Sequence, residues 1–187
     1  MSKAALRICA FDLETTSLSA DLGVILCAVV KEPGQRLAVF RLDETNPDWQ
    51  ADPRDDRELT EQLARRLEEC DIWLAFNGRA FDLPFLRSRL AHWGLRPLAA
   101  RTLIDPYLIA RRKLRVSGNS LAALAAYLRL GHKHSLSPAV WKRAACQADR
   151  KALDQIVQHC KADVVLLERL IVYLKSYCAQ LNCWGSA

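Results

Sequence analysis

Hydrophobic positions along the chain repeat with two different periods. Leu6 to Phe11 and Gly23 to Val30 are short, apolar and partly β-branched, and Leu37 to Leu42 alternates apolar with polar after the turn Glu32-Pro33-Gly34-Gln35. Runs of this kind bounded by Pro and Gly predict three strands, the last two forming a hairpin. Residues 43–55 hold two prolines and many acids and read as a loop. From Asp56 to Glu69 the period changes: Leu59, Leu63 and Leu67 recur every four residues, which predicts a helix. Ile72 to Phe76 is again short enough for a buried strand. It is followed by Asn77-Gly78 and by a helix from about Asp82 to Trp93 that Gly94 ends. From Leu103 onward the chain reads almost entirely helical. The expected helices are Pro106 to Lys113, Ser120 to Leu130 with Ser120 as N-cap, Pro138 to Cys146, and Asp149 to about Gln180. No internal repeat or low-complexity segment interrupts this order.

Three antiparallel strands, a helical crossover to a fourth strand and then packed helices make a layered α/β domain. A right-handed crossover lays the fourth strand beside the first, in parallel. The C-terminal ends of those two strands then lie together, where open mixed sheets usually bind ligands. They carry Asp12-Leu13-Glu14 and Asn77.

Composition changes this picture little, and charge changes it more. The chain has 187 residues, 51% hydrophobic and 26% charged, which suits one globular domain spanning residues 1–187. Apolar runs such as Val24 to Val30 fall far short of the roughly 18 residues a membrane span needs. The N-terminal stretch is too short and too polar at Arg7 and Asp12 for a secretory signal, so a cytoplasmic protein is expected. Seven cysteines, at 9, 27, 70, 146, 160, 178 and 183, form no C-x-x-C pair; they read as small buried hydrophobes of a reducing compartment. Residues 1–70 carry 9 Lys/Arg against 14 Asp/Glu, whereas residues 71–187 carry 18 against 7. The basic part is densest at Arg111, Arg112, Lys113 and Arg115. It reads either as a surface for an anionic partner such as a phosphate backbone or as a solvated helix face.

In a strand, side chains two apart share a face, so Asp12 and Glu14 place two carboxylates in one small volume. A hard divalent cation would neutralise them; two solvated acids at a strand end are the alternative. Asp82 opens the helix after the fourth strand, either as a third ligand or as an acid complementing the helix dipole. Asp163 stands among Val164, Val165, Leu166 and Leu167, where an acid needs a partner.

These residues carry a resemblance. FDLETTSL (11–18), FNGRAFDLPFL (76–86) and HCKADVVLL (159–167) resemble, in order, the three motifs of the DEDD superfamily of ribonuclease H-like 3′-5′ exonucleases, a DnaQ-like fold. Motif one is D-x-E, at Asp12 and Glu14; motif two is N-x3-[FY]-D, at Asn77, Phe81 and Asp82; motif three ends at Asp163. TLIDPYLIAR and NSLAALAAYLRLG resemble the helical stretch between motifs two and three. The likeness spans residues 6 to about 172 and is closest to the YprB-type exonuclease domains. It implies a mixed sheet, a three-strand antiparallel meander plus parallel strands, flanked by helices. It further implies that the four acids hold two divalent ions, Mg²⁺ or Mn²⁺, around a scissile phosphate. Thr15 and Leu18 would contact the terminal nucleotide, and Asn77 and Phe81 would shape its pocket.

The third motif departs from the family. Subfamilies place Tyr four residues before the last Asp or His five before it; here His159 stands four before Asp163. An offset of four separates two helical side chains by about 40°, and an offset of five by about 140°. His159 can therefore enter the same site as Asp163, and as a neutral imidazole it could orient or deprotonate water. His132 and His134 read as loop residues, with phosphate contact as the functional alternative. Asp105 follows an apolar, strand-like run and reads as an N-cap before Pro106 or as a fifth acid near the metals, and Trp73, Trp93 and Tyr107 read as core. The expected activity is metal-dependent 3′-5′ hydrolysis of single-stranded nucleic acid, with the basic residues tracking its backbone. Its rivals are a decayed binding module and a nuclease for short oligonucleotides or cyclic nucleotides.

Overall fold

The computed structural model describes residues 6–132 and 135–177 of the chain. Lys133, His134, Cys178, Cys183 and the expected continuation of the last helix to Gln180 lie outside the described residues. The described chain builds a five-stranded sheet in the order β3-β2-β1-β4-β5. Its strands are β1 (Ile8–Thr15), β2 (Ile25–Lys31), β3 (Ala38–Arg41), β4 (Ile72–Leu74) and β5 (Thr102–Ile104). β1, β2 and β3 pair antiparallel, with Phe11 opposite Val30 and Ala28 opposite Phe40. β4 pairs parallel to β1 and β5 parallel to β4, with Ala10 beside Leu74 and Leu74 beside Ile104. The expected mixed sheet is the one observed.

Three departures follow from local forces. β1 continues to Thr15, four residues past the apolar run, because its pairing with β2 persists through Asp12 and Glu14 and breaks register only at Glu14/Thr15. β5 takes up the strand-like run before Asp105, and its parallel pairing with β4 adds Thr102–Ile104 to the sheet as a fifth strand where four were expected. The acidic loop contains one helical turn, α1 (Leu42–Thr45), closed by the Asn46 N–H donating to the Leu42 carbonyl.

The other helices are α2 (Arg57–Glu68), α3 (Asp82–His92), α4 (Pro106–Lys113), α5 (Leu121–Tyr127), α6 (Pro138–Gln147) and α7 (Arg150–Leu174). Ser120 caps α5 by accepting from the Ala123 N–H, as expected. β2 is buried along almost its whole length, so both faces of the sheet must be covered. Leu59, Leu63 and Leu67 bury one stripe of α2, which packs against β2, β3 and α3. α7 lies across β1 and β2 and gathers α4, α5 and α6 around it. Its apolar stripe, Leu153, Ile156, Val157, Cys160, Val164 and Leu167, is fully buried, and Asp163 lies on that same stripe.

One buried ion pair locks the sheet to α3. The Arg89 guanidinium on α3 donates from Nε and Nη2 to the Asp56 carboxylate at 2.7–3.1 Å, while the Trp93 indole donates to Oδ1 at 2.7 Å and the Ile25 N–H to Oδ2 at 2.8 Å. Removing one partner of such a pair leaves an uncompensated buried charge. Asp56→Ala should therefore cost about 3–5 kcal/mol of stability. Urea unfolding checks this; the loss should shrink when Arg89→Met is added.

Candidate metal centre

The site grows from two segments almost 150 residues apart. β1 presents Asp12 and Glu14, half-buried, toward α7. α7 answers with Cys160, whose thiol donates to the Asp12 carbonyl at 3.4 Å, and with His159 and Asp163 one turn apart. His159 Nε2 stands 3.8 Å from Glu14 Oε1 and 3.7 Å from Asp163 Oδ2. Ligand-capable atoms of Glu14, His159 and Asp163 lie within 4.8 Å of one another, as do those of Asp12, Glu14 and Cys160. The offset of four thus does what helical geometry predicts: it turns His159 into the carboxylates. Burial and the neighbouring Cys27 thiol push the Cys160 thiol well above its ordinary range, so it packs as a neutral group.

Asp82 enters from the first turn of α3. Its Oδ1 accepts the N–H of Leu13 at 3.1 Å, the residue between Asp12 and Glu14, and so ties motif two to motif one. Burial pushes the Asp82 carboxyl up to about 7; Asp105 nearby acts in the same direction, and the amides of Leu13 and Asp82 itself oppose it. The loop that delivers Asp82 is tightly specified. Asn77 adopts the left-handed φ of 60°, and a Cβ on Gly78 would lie 2.3 Å from that of Ala75.

Asp105 is the residue whose role the sequence understated. It does cap α4, accepting from the Tyr107 N–H at 3.1 Å. It also accepts from the N–H groups of Asn77 at 2.9 Å and Arg79 at 3.2 Å, clamping the loop before Asp82. Its place in Ile-Asp-Pro showed the cap, but nothing in the sequence showed a clamp 28 residues away.

The donor set suits a hard divalent cation: carboxylate oxygens from three elements, one of them on a residue whose burial disfavours a bare charge. Glu14 lies close to Asp12 on β1 and to Asp163 across on α7, and Asp82 adjoins the β1 acids through Leu13. Metal-free Asp82 has a testable consequence. Because its folded-state pKa lies above its ordinary 3.8, the folded chain holds more protons than the unfolded one between about 4 and 7, and stability falls as pH rises through that window. In EDTA, Asp82→Asn should melt higher than the wild type at pH 8, and the gap should close toward pH 4. A gap independent of pH would remove burial as the cause.

Beside the acids opens a cleft of about 320 Å³, lined among others by Glu14, Thr15, Leu18, Phe81 and Trp141. Leu18 stands at its rim, 85% exposed, while Asn77 lies in the loop below and does not line it. The loop bearing Thr15 and Leu18 closes through the Thr16 N–H to the Val24 carbonyl and the Val24 N–H to Thr16 Oγ1, each 3.0 Å. A separate cavity of about 330 Å³ behind Arg89 and Trp93 touches none of the four acids.

The basic cluster divides. Arg112 and Lys113 join Arg79 around a second cleft, of about 230 Å³, that borders Asp105. Arg111 lies over the Tyr107 ring, 5.4 Å from its centroid, and Arg115 is exposed beyond the helix end. His132 is exposed. Trp73 is core, its indole donating to the Leu67 carbonyl; Trp93 serves the Asp56 pair, and Tyr107 meets Phe76 edge-on. Trp141, which no sequence motif singled out, reaches the site instead: its ring meets that of His159 edge-on at 6.3 Å.

Residues 9–175 match the family model described as the RNase_H superfamily. The chain belongs to the ribonuclease H superfamily. A solved structure with the same fold is that of the family B DNA polymerase from the hyperthermophilic archaeon Pyrobaculum calidifontis. It superposes with a TM-score of 0.73 at 20% identity, over 90% of this chain and 24% of the polymerase. This ribonuclease H-like chain therefore spans about a quarter of the polymerase's length. No curated protein matches the sequence. Among the described residues no helix is long and apolar enough to cross a membrane.

Proposed function

We propose that this ribonuclease H-like chain is a 3′-5′ exonuclease of the DEDD type, nearest the YprB-type domains, and that residues 1–187 act as one domain on single-stranded DNA or RNA. The observation that carries this reading is the meeting of Glu14 from β1 with His159 and Asp163 from α7, all within 4.8 Å. Two Mg²⁺ or Mn²⁺ ions held by Asp12, Glu14, Asp82 and Asp163 would neutralise the phosphate's developing charge and acidify the attacking water.

The chain's own residues account for the remaining work. His159 Nε2, turned toward Glu14 and Asp163, accepts the proton of the water as it attacks phosphorus. Thr15, Leu18 and Phe81 wall the cleft that receives the terminal nucleotide. Asn77 shapes the turn below it, fixed by Asp105. Cleavage breaks the bond between phosphorus and the 3′ oxygen of the preceding nucleotide and releases a nucleoside monophosphate. Asp82 reaches the site only because the Asn77–Phe81 loop is held, so the clamp at Asp105 is part of the same device.

Arg79, Arg112 and Lys113 around the neighbouring cleft suit the backbone of the strand beyond the cleavage point. Neutralising Arg111, Arg112, Lys113 and Arg115 together should raise KM for long substrates and leave dinucleotide cleavage nearly unchanged. The slope of log K against log salt should fall by roughly 0.7 for each backbone phosphate that is no longer neutralised. An unaltered slope would put this cluster off the substrate path.

The reading as a whole is tested by digesting 5′-labelled and 3′-labelled single-stranded and duplex DNA and RNA with Mg²⁺, Mn²⁺ or EDTA. Stepwise shortening from the 3′ end of single strands, abolished by EDTA, is expected. Metal-independent binding without cleavage would mark a binding module, and cleavage confined to the shortest substrates would mark an oligonucleotide nuclease.

A further inference from the structure

Trp141 occupies a position that neither the motifs nor the carboxylates explain. It lies on α6, which carries none of the four acids, and it remains half-buried instead of entering the core. Its ring centroid lies 6.3 Å from that of His159, with the two planes at 84°. The same side chain helps line the 320 Å³ cleft beside Glu14, Thr15 and Leu18. Across that cleft Phe81 is already engaged, its ring 5.7 Å from that of Phe85. The indole is thus the largest flat surface shared by the cleft and the imidazole.

A large aromatic ring kept at a cleft wall beside anionic side chains is suited to a ligand that is flat and polarisable but not anionic at the point of contact. A nucleobase meets that description, and every base offers a π-face, so the contact discriminates little among sequences. We propose that Trp141 stacks on the base of the terminal nucleotide and, through its perpendicular ring contact, positions His159, so that a seated base orients the imidazole. This rests on the nuclease reading of the same site. Trp141 touches the base and is a substrate-binding residue that tells a terminal base from none; toward the reacting water it is a positioning residue acting through His159.

The test removes the base as well as the indole. The full chain and its Trp141→Ala and Trp141→Phe variants are assayed on a single strand ending in an ordinary 3′ nucleotide and on one ending in an abasic 3′ residue. With the ordinary terminus, Trp141→Ala should lower kcat/KM roughly 5- to 150-fold, the range of one base–aromatic stack, and Trp141→Phe should retain most of the activity. With the abasic terminus the wild type should fall by a similar factor and Trp141→Ala no further. The part of the loss that falls on kcat instead of KM should appear in Trp141→Ala only with the ordinary terminus.

Equal losses on both termini would overturn the proposal and leave Trp141 a structural residue. Calorimetric titration with dAMP and with deoxyribose 5-phosphate in Mn²⁺ decides the stack without turnover. Trp141→Ala should weaken dAMP alone, and unchanged dAMP affinity would refute the stack. A wild type that cleaves nothing yet binds dAMP through Trp141 would sink the nuclease reading and keep the stack. If the alanine variant does not fold, Trp141→Leu, which keeps apolar bulk without a π-face, carries the same comparison.

Discussion

Replacing any one of Asp12, Glu14, Asp82 or Asp163 by alanine should lower turnover by at least about 10³-fold and leave the chain folded, because metal assistance to phosphoryl transfer would supply several kcal/mol of transition-state stabilisation. The four are not equivalent. Glu14 and Asp163 each face His159, at 3.8 and 3.7 Å, so losing either would disturb both the proposed cation site and the imidazole, whereas the ligand group of Asp12 is Glu14 and Cys160. Asp82 also receives the Leu13 N–H; its loss loosens the strand segment between the two motif-one acids. The metal-free variants should melt no lower than the wild type, since crowded carboxylates serve chemistry at a cost in stability. Mn²⁺ binding, thermal melting and turnover measured side by side separate these effects. Near wild-type turnover in any one variant under saturating Mn²⁺ would break the four-carboxylate assignment.

How legible each element is in the sequence depends on its length and period. β2 and α2 are readable because an almost unbroken apolar run and leucines every four residues leave few alternatives. α4 is bounded to the residue by Asp105-Pro106 at one end and Leu114 at the other. β5 shows in the sequence only as a short strand-like run before Asp105; three residues have no period that could place it, and its position in the sheet comes from the edge β4 offers. The apolar run ends at Phe11, short of the end of β1, because Asp12 and Glu14, the acids proposed for the metal centre, interrupt it. Partnerships across the chain stay hidden for a different reason. Asp56 has the look of a helix start, yet its side chain accepts nothing as a cap and instead neutralises Arg89, 33 residues on. Trp141 gives no signal at all, since its meaning lies in β1 and α7, which only the folded chain brings to it.

His159→Ala should lower kcat on the order of 10²- to 10⁴-fold, the usual range for losing general acid–base assistance, with metal affinity little changed. The placement of the imidazole makes this the sharpest discriminator of mechanism. Nε2 lies 3.8 Å from Glu14 and 3.7 Å from Asp163, close enough to share a water with either carboxylate and too far for a direct hydrogen bond. An imidazole that accepts a proton must be neutral, so kcat should fall on the acidic side of the profile, and this limb should be missing from His159→Ala. His159→Tyr restores the spacing found in the tyrosine subfamily and should recover part of the loss, because a phenol four residues before Asp163 can still orient water. His159→Phe keeps the ring against Trp141 without a nitrogen; it should behave like alanine if the nitrogen matters and like the wild type if only packing does. Profiles of all three variants over pH 5 to 9, at saturating Mn²⁺, read these outcomes directly. Wild-type rates in His159→Ala, with the acidic limb intact, would leave the water activated without the histidine and assign the limb to the carboxylates.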